Sequence, residues 1–158
     1  MSLDPISFRS VLGRFATGVT IVTTRDADGC DHGMTVNAFC SLSLEPPLVL
    51  ICIEQEATLL PVLCETPQFV VNVLSQEQEP LSRRFAEHMG NRFEGVGFTR
   101  GITGGAVLND VLAYVECRRT NQYASGDHTI FIGEVIAAAA HPEHPLLYYR
   151  GGYAQMER

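Results

Sequence analysis

Between His32 and Glu45 the chain carries no charge, and its side chains alternate in kind. Thr35, Asn37, Phe39, Ser41 and Ser43 share one parity, and Met34, Val36, Ala38, Cys40, Leu42 and Leu44 share the other. A solvent-facing strand usually carries Lys or Glu, because charge blunts edge-to-edge pairing. A face of hydroxyls and amide suits a polar partner that needs direct hydrogen bonds. Ser and Thr hydroxyls, with backbone N–H groups, wrap a phosphate or a sugar, and Asn can bond both a carbonyl and an N–H on a ring edge. The same pattern also fits a polar face packed under a loop. A second candidate is His128 in "SGDHTIFIGEV", which the Ser125-Gly126-Asp127 turn places at the first residue of a strand. The turn fixes the direction of this side chain, and Asp127 shapes the turn. His32, His88, His141 and His144 have no comparable context and read as surface or loop residues. Glu116 and Glu134 fall mid-strand, where a charge must be exposed or paired.

The elements that position these residues follow from periodicity. Asp4-Pro5 starts a helix, with Asp as N-cap and Pro at the first helical position. Phe8, Val11, Leu12 and Phe15 recur at helical spacing, and Gly18 ends the helix. "VTIVTT" at 19–24 is a β-branched strand, "DADG" at 26–29 is a hairpin turn, and the His32–Pro47 stretch is the next strand. "LVLICI" at 48–53 is apolar on both faces, which predicts a central strand covered on both sides. A short helix over 57–64 and the strand "FVVNVL" at 69–74 follow. Ser75 with Gln78 forms a capping-box pattern before a helix that carries Leu81, Arg84 and Phe85. Residues 91–105 hold five glycines and read as a loop. "LAYVECRRTNQY" and "HTIFIGEVIAAAA" are two long strands joined at 125–127. Strands joined by hairpin turns, with short α-helices between some of them, predict a mainly β antiparallel barrel or sheet rather than a parallel α/β fold.

The 158 residues fit one domain spanning 1–158. A net charge of -7 argues against a nucleic-acid partner. Cys30, Cys40, Cys52, Cys64 and Cys117 form no C-x-x-C pair and have no His at zinc-like spacing, so no metal site is expected. Most lie in apolar runs and read as small buried hydrophobes, which implies a reducing compartment. With no leader pattern and no apolar run near the ~20 residues of a membrane span, a cytoplasmic protein without membrane contact is expected. "GITGG" at 101–105 has the wrong spacing for a dinucleotide fingerprint.

Five segments, in order and spread over nearly the whole chain, resemble the flavin reductase-like family. They are "FRSVLGRFATGVTIVTT", "HGMTVNAFCSLSLEPPLVLICI", "FVVNVLSQEQEPLSRRFA", "ASGDHTIFIGEV" and "PLLYYRGGY". The resemblance implies a split β-barrel that binds FMN or FAD, usually as a homodimer. It also implies NADH or NADPH as hydride donor and a separate flavin-dependent monooxygenase as the consumer of reduced flavin. It places Thr35, Val36, Asn37 and Ala38 along the isoalloxazine, and Ser41 and Ser43 at the ribityl chain and phosphate. Thr58 is a second phosphate candidate. Arg84 and Phe85 form a third cluster, in which Arg83 or Arg84 supplies positive charge and Phe85 is a core or flavin-wall residue. His128 falls near the nicotinamide. Tyr149 and Tyr153 are cleft-wall candidates, either from the same chain or across the dimer. Two rivals share the barrel: a non-enzymatic flavin carrier, and an oxidase of the pyridoxamine-phosphate type. The second would need a basic substrate-phosphate cluster that the sequence does not provide.

Overall fold

The computed structural model describes residues 2–87 and 90–157; His88 lies outside them. In chain order the elements are α1 (Pro5–Leu12), β1 (Thr17–Gly18), β2 (Thr20–Arg25), β3 (Asp31–Val36), β4 (Phe39–Leu44) and β5 (Pro47–Glu54). Then come α2 (Leu59–Glu65), β6 (Gln68–Val73), α3 (Glu79–Ala86), β7 (Phe98–Arg100) and β8 (Ala106–Leu108). The long strands β9 (Ala113–Ser125) and β10 (His128–Ala140) are followed by β11 (Leu147–Tyr149) and β12 (Gly152–Ala154).

Seven strands form one antiparallel sheet in the order β3-β2-β6-β9-β10-β5-β4. Its two edges, β3 and β4, are consecutive in the chain and are joined only by Asn37 and Ala38. Six strand spacings of about 4.8 Å far exceed the roughly 11 Å that the peptide steps from Val36 to Phe39 can span. The sheet must therefore curl until its edges meet. It is a barrel split along the β3–β4 seam, in agreement with the expected architecture. A main-chain bond from Cys52 N–H to the Ala38 carbonyl (3.0 Å) and the Thr20 hydroxyl on the Val36 carbonyl pin the two sides of the seam.

The apolar interior includes Val22, Ile51, Ile53, Phe69, Val71 and Phe131, with a second cluster around Ile21, Leu74, Phe85, Leu108 and Leu146. Packing around Gly133 is close enough that a Cβ there would meet the Phe69 ring at 2.6 Å and the Cys117 Cβ at 2.7 Å. Asn72 is fully buried but satisfied, donating to the Ile21 carbonyl and accepting from Leu108 N–H.

Several expectations change. Asp4 caps α1 through Ile6 and Ser7 N–H as its position predicts, but the helix ends at Gly13. Gly18 lies in β1, because residues 17–18 pair with Leu147 and Tyr148 of β11. The His32–Pro47 stretch is two strands, broken at Asn37-Ala38, with a register shift between Ser41 and Ser43. Its apolar parity is therefore not continuous core: Val36 is buried, whereas Cys40, Leu42 and Leu44 are exposed. Strand β5 buries Val49, Ile51 and Ile53 but leaves Leu48, Leu50 and Cys52 half-covered, so only one of its faces is enclosed by this chain. The 91–105 loop contains β7, which pairs with β8. Of the cysteines only Cys117 is buried; Cys30 and Cys40 are exposed and all five thiols are free. Burial in that apolar setting pushes the Cys117 thiol up to about 12. No described helix is long and apolar enough to cross a membrane.

Candidate functional site at the barrel seam

The site is assembled by three elements meeting at the seam. Ser75 and Gln78 form the capping box the sequence predicts, and it launches the chain into α3. Helix α3 packs on β3. From α3 the buried Ser82 reaches two ways. Its carbonyl accepts the Thr35 hydroxyl at 2.6 Å, and its own hydroxyl meets the Tyr153 hydroxyl at 2.7 Å. The β11–β12 hairpin sets Tyr148 directly opposite Tyr153, their rings edge-to-face with centroids 5.5 Å apart. A cavity of about 200 Å³ results, lined by Val19, Thr35, Asn37, Ala86, Tyr148 and Tyr153. A second, of about 360 Å³, shares Ala86, Tyr148 and Tyr153 and opens past Arg83, Glu87, Gly151 and Gly152.

Of the residues singled out in the sequence, Thr35, Asn37 and Tyr153 thus line one cleft. Val36 is buried beneath it, and Ala38 is exposed at the seam. Ser41 and Ser43 lie on β4, and among the described residues their hydroxyls have no hydrogen-bond partner. Thr58 sits at the N-cap position of α2, but its side chain makes no capping bond. It lines another cavity of about 360 Å³ with His32, Gly33, Asn91 and Arg92. These free hydroxyls are what a polar ligand tail requires.

Arg84 and Phe85 serve the scaffold. Arg84 donates through Nε to the Arg92 carbonyl (2.7 Å) and through Nη2 to the Asn91 and Glu94 carbonyls, strapping the loop after α3. Phe85 is fully buried against Phe93, ring centroids 5.1 Å apart, so of its two expected roles it takes the core one. The arginine at the cleft mouth is Arg83, whose guanidinium lies 4.7 Å from the Tyr153 ring centroid and pairs with Glu79 at 2.7 Å. That pairing raises its already high pKa, so it stays cationic.

His128 begins β10, opposite Glu54 of β5 and Ser125 of β9. Its Nδ1 lies 2.6 Å from Asp127 Oδ1, and its side chain is 44% exposed. The hydrogen bond from His128 holds the Asp127 carboxyl below its ordinary 3.8, so Asp127 orients the imidazole as well as shaping the turn. Gln55 clamps this end of the sheet, with its N–H on the Asp127 carbonyl and its side chain on the His128 carbonyl. The seam residue Ala38 bonds Cys52, which lies two positions before Glu54 on β5. His128 and the seam therefore occupy the same end of the sheet, although none of the three cavities above includes His128.

Glu116, Glu134 and His32 are paired within the scaffold. Glu116 is buried and accepts Thr103 N–H, the Thr103 hydroxyl and Ile102 N–H, which anchors the turn before β8. Glu134 pairs with Arg118 at 2.7 Å. His32 is tied to Asp26 at 2.7 Å rather than loose on the surface, and that bond is the main cause lowering the Asp26 pKa. Sequence reading missed Ser82 and Tyr148. Alternation along β11 distinguishes Tyr148, facing the cleft, from the more exposed Tyr149, but three residues are too few to reveal it.

Proteins similar to this chain are named as flavin reductases. The chain is 43% identical over 157 residues to a flavin reductase (NADH) of Kitasatospora aureofaciens, covering 97% of this chain and 82% of that one. It is 39% identical to the reductase subunit of a flavin-dependent monooxygenase from Rhodococcus jostii, covering 99% and 80%. Among solved structures it matches the NADH:FAD oxidoreductase of Streptomyces globisporus, determined in complex with NAD and FAD fragments. That match has a TM-score of 0.93 at 38% identity, covering 99% of this chain and 97% of that one. Residues 12–157 match the model of the flavin reductase like domain, and the chain belongs to that family.

Proposed function

We propose that this chain is an NAD(P)H-dependent flavin reductase that passes hydride from nicotinamide to FMN or FAD and supplies the reduced flavin to a separate monooxygenase. The observation that carries the reading is the cleft at the barrel seam. There Thr35 and Asn37 line one cavity with the paired rings of Tyr148 and Tyr153, and amide plus aromatic lining is what a flat, hydrogen-bonding ring takes. The residues present fit a flavin: Asn37 is exposed at the seam for a ring edge, and Ser41, Ser43 and Thr58 offer unbonded hydroxyls for a ribityl phosphate. Bound there, a flavin supplies an N5 that accepts hydride. Hydride transfer to it would need the donor atom stacked within about 3–3.5 Å and no side-chain acid or base, so the role of these residues would be to hold and orient the two rings. In this reading His128, held by Asp127, orients the nicotinamide. The related proteins named as NADH-dependent reductases support the same reading.

The test separates an enzyme from a flavin carrier. Steady-state oxidation of NADH and of NADPH is followed with catalytic protein and excess FMN or FAD. The proposal expects many turnovers with at least one pairing. Flavin binding without turnover would leave only the carrier.

The chain is further proposed to work as a homodimer. The outer face of β5 and its neighbours presents Leu48, Leu50, Leu42 and Ile136, and α1 buries none of its residues. Phe15 just beyond α1 is 80% exposed and Leu44 is 93% exposed. Apolar surface of this extent is what association covers. Sedimentation equilibrium is expected to give about twice the 17.3 kDa chain mass. A single 17.3 kDa species at micromolar concentration would refute this.

A further inference from the structure

We infer that Ser82 is a positioning residue that fixes Tyr153 as a preformed aromatic wall of the cleft. The inference rests on the cleft being the flavin site. Three contacts hold the Tyr153 ring. Its hydroxyl meets Ser82 Oγ at 2.7 Å, the Arg83 guanidinium lies 4.7 Å from its centroid, and the Tyr148 ring meets it edge-to-face. Ser82 and Arg83 are adjacent on α3, so one helical turn grips the ring at its hydroxyl and over its plane. Ser82 is fully buried, and its carbonyl takes the Thr35 hydroxyl. One residue thus ties together two lining residues of the cleft, Thr35 on β3 and Tyr153 on β12, which lie in separate sheets. Of the three, only the hydroxyl contact is directional, since a cation over a ring and an edge-to-face pair both tolerate sliding. Without it the ring keeps its neighbours and loses its register. A wall fixed before the ligand arrives lowers the ordering cost of binding a planar ring, so its effect falls on flavin affinity and not on the hydride step.

Ser82→Ala and Tyr153→Phe each remove the same hydroxyl contact from opposite ends. Each is expected to raise the flavin Kd and the KM for flavin about fivefold with kcat nearly unchanged, the size of one lost hydrogen bond. The double variant is expected to be no worse than the weaker-binding single one, because both delete one interaction. Additive losses, or unchanged KM in Tyr153→Phe, would overturn the inference. A fall in melting temperature without any change in KM would also do so, since that is a purely structural role. Tyr153→Phe alone decides the matter if Ser82→Ala does not fold. Asn37→Ala is measured beside them. If it weakens flavin binding while the hydroxyl variants do not, the site stands and the role of Ser82 falls; if none of the three changes flavin binding, the site itself is elsewhere.

Discussion

Ser41→Ala/Ser43→Ala together are expected to raise the dissociation constant for FMN at least about tenfold if these hydroxyls hold the phosphate, because each lost hydrogen bond to a charged phosphate is worth roughly 1.5–3 kcal/mol. Both residues lie on β4 at the edge of the split barrel, and among the described residues neither hydroxyl has a hydrogen-bond partner. Removing them therefore leaves no donor or acceptor stranded inside, and the melting temperature is expected to stay at the parental value. Fluorescence titration of FMN, with a thermal melt on the same preparation, measures both. An unchanged dissociation constant rejects β4 as the phosphate strand and leaves Thr58 as the hydroxyl that remains. The register shift between Ser41 and Ser43 matters here. A bulge twists its strand and re-aims side chains, so the pair is not aligned as a uniform strand would align it.

That bulge also shows where sequence reading reaches and where it stops. Strands 20–25 and 68–73 are legible from their β-branched and apolar runs, and β10 from period-two alternation that records its buried face. The seam is not legible. The parity from Thr35 to Ser43 runs on across Asn37-Ala38, although the chain there leaves one edge of the sheet for the other. Alternation records a face but not which strand lies alongside, and only pairing reveals that β3 and β4 are opposite edges. The apolar run of β5 misleads for a related reason. Leu48, Leu50 and Cys52 are apolar without being enclosed by this chain, as expected of residues another surface covers. Glu116 reads as a charge needing a partner, but three donors from the turn at 102–103 satisfy it, and turn geometry leaves no period to read.

The candidate site divides along the same line. Thr35, Asn37 and Tyr153 could be named from residue type and resemblance, and the structure brings them to one cavity. Arg84 and Arg83 are indistinguishable as types on adjacent positions. Helical rotation of about 100° per residue sends one to the loop at 91–94 and the other over Tyr153. Ser82 has no mark in the sequence at all, because its partners lie 47 and 71 residues away.

His128→Ala slows single-turnover flavin reduction and raises the KM for the nicotinamide cofactor, while the FMN dissociation constant and melting temperature stay parental. The slowing is expected to be about tenfold to a hundredfold, the range for losing orientation while the reacting groups keep their own chemistry. The geometry supports a positioning role. Asp127, held ionised by the His128 bond, accepts from Nδ1 and leaves Nε2 as the nitrogen not engaged by it. The side chain is 44% exposed, so truncation creates no cavity in the core and stability has little to lose. Asp127→Asn supplies the companion measurement. The amide can still bond the ring but no longer carries the charge that favours the same tautomer, so it is expected to fall between parent and His128→Ala in reduction rate. A melting temperature that drops in His128→Ala together with flavin affinity would make the residue structural. Parental reduction kinetics in a stable, flavin-binding His128→Ala would leave it a surface residue and move the nicotinamide site away from the β9–β10 turn. A slowed hydride step with intact flavin binding ties that turn to the seam, two strands away across β5, as the two sides of one reaction cleft.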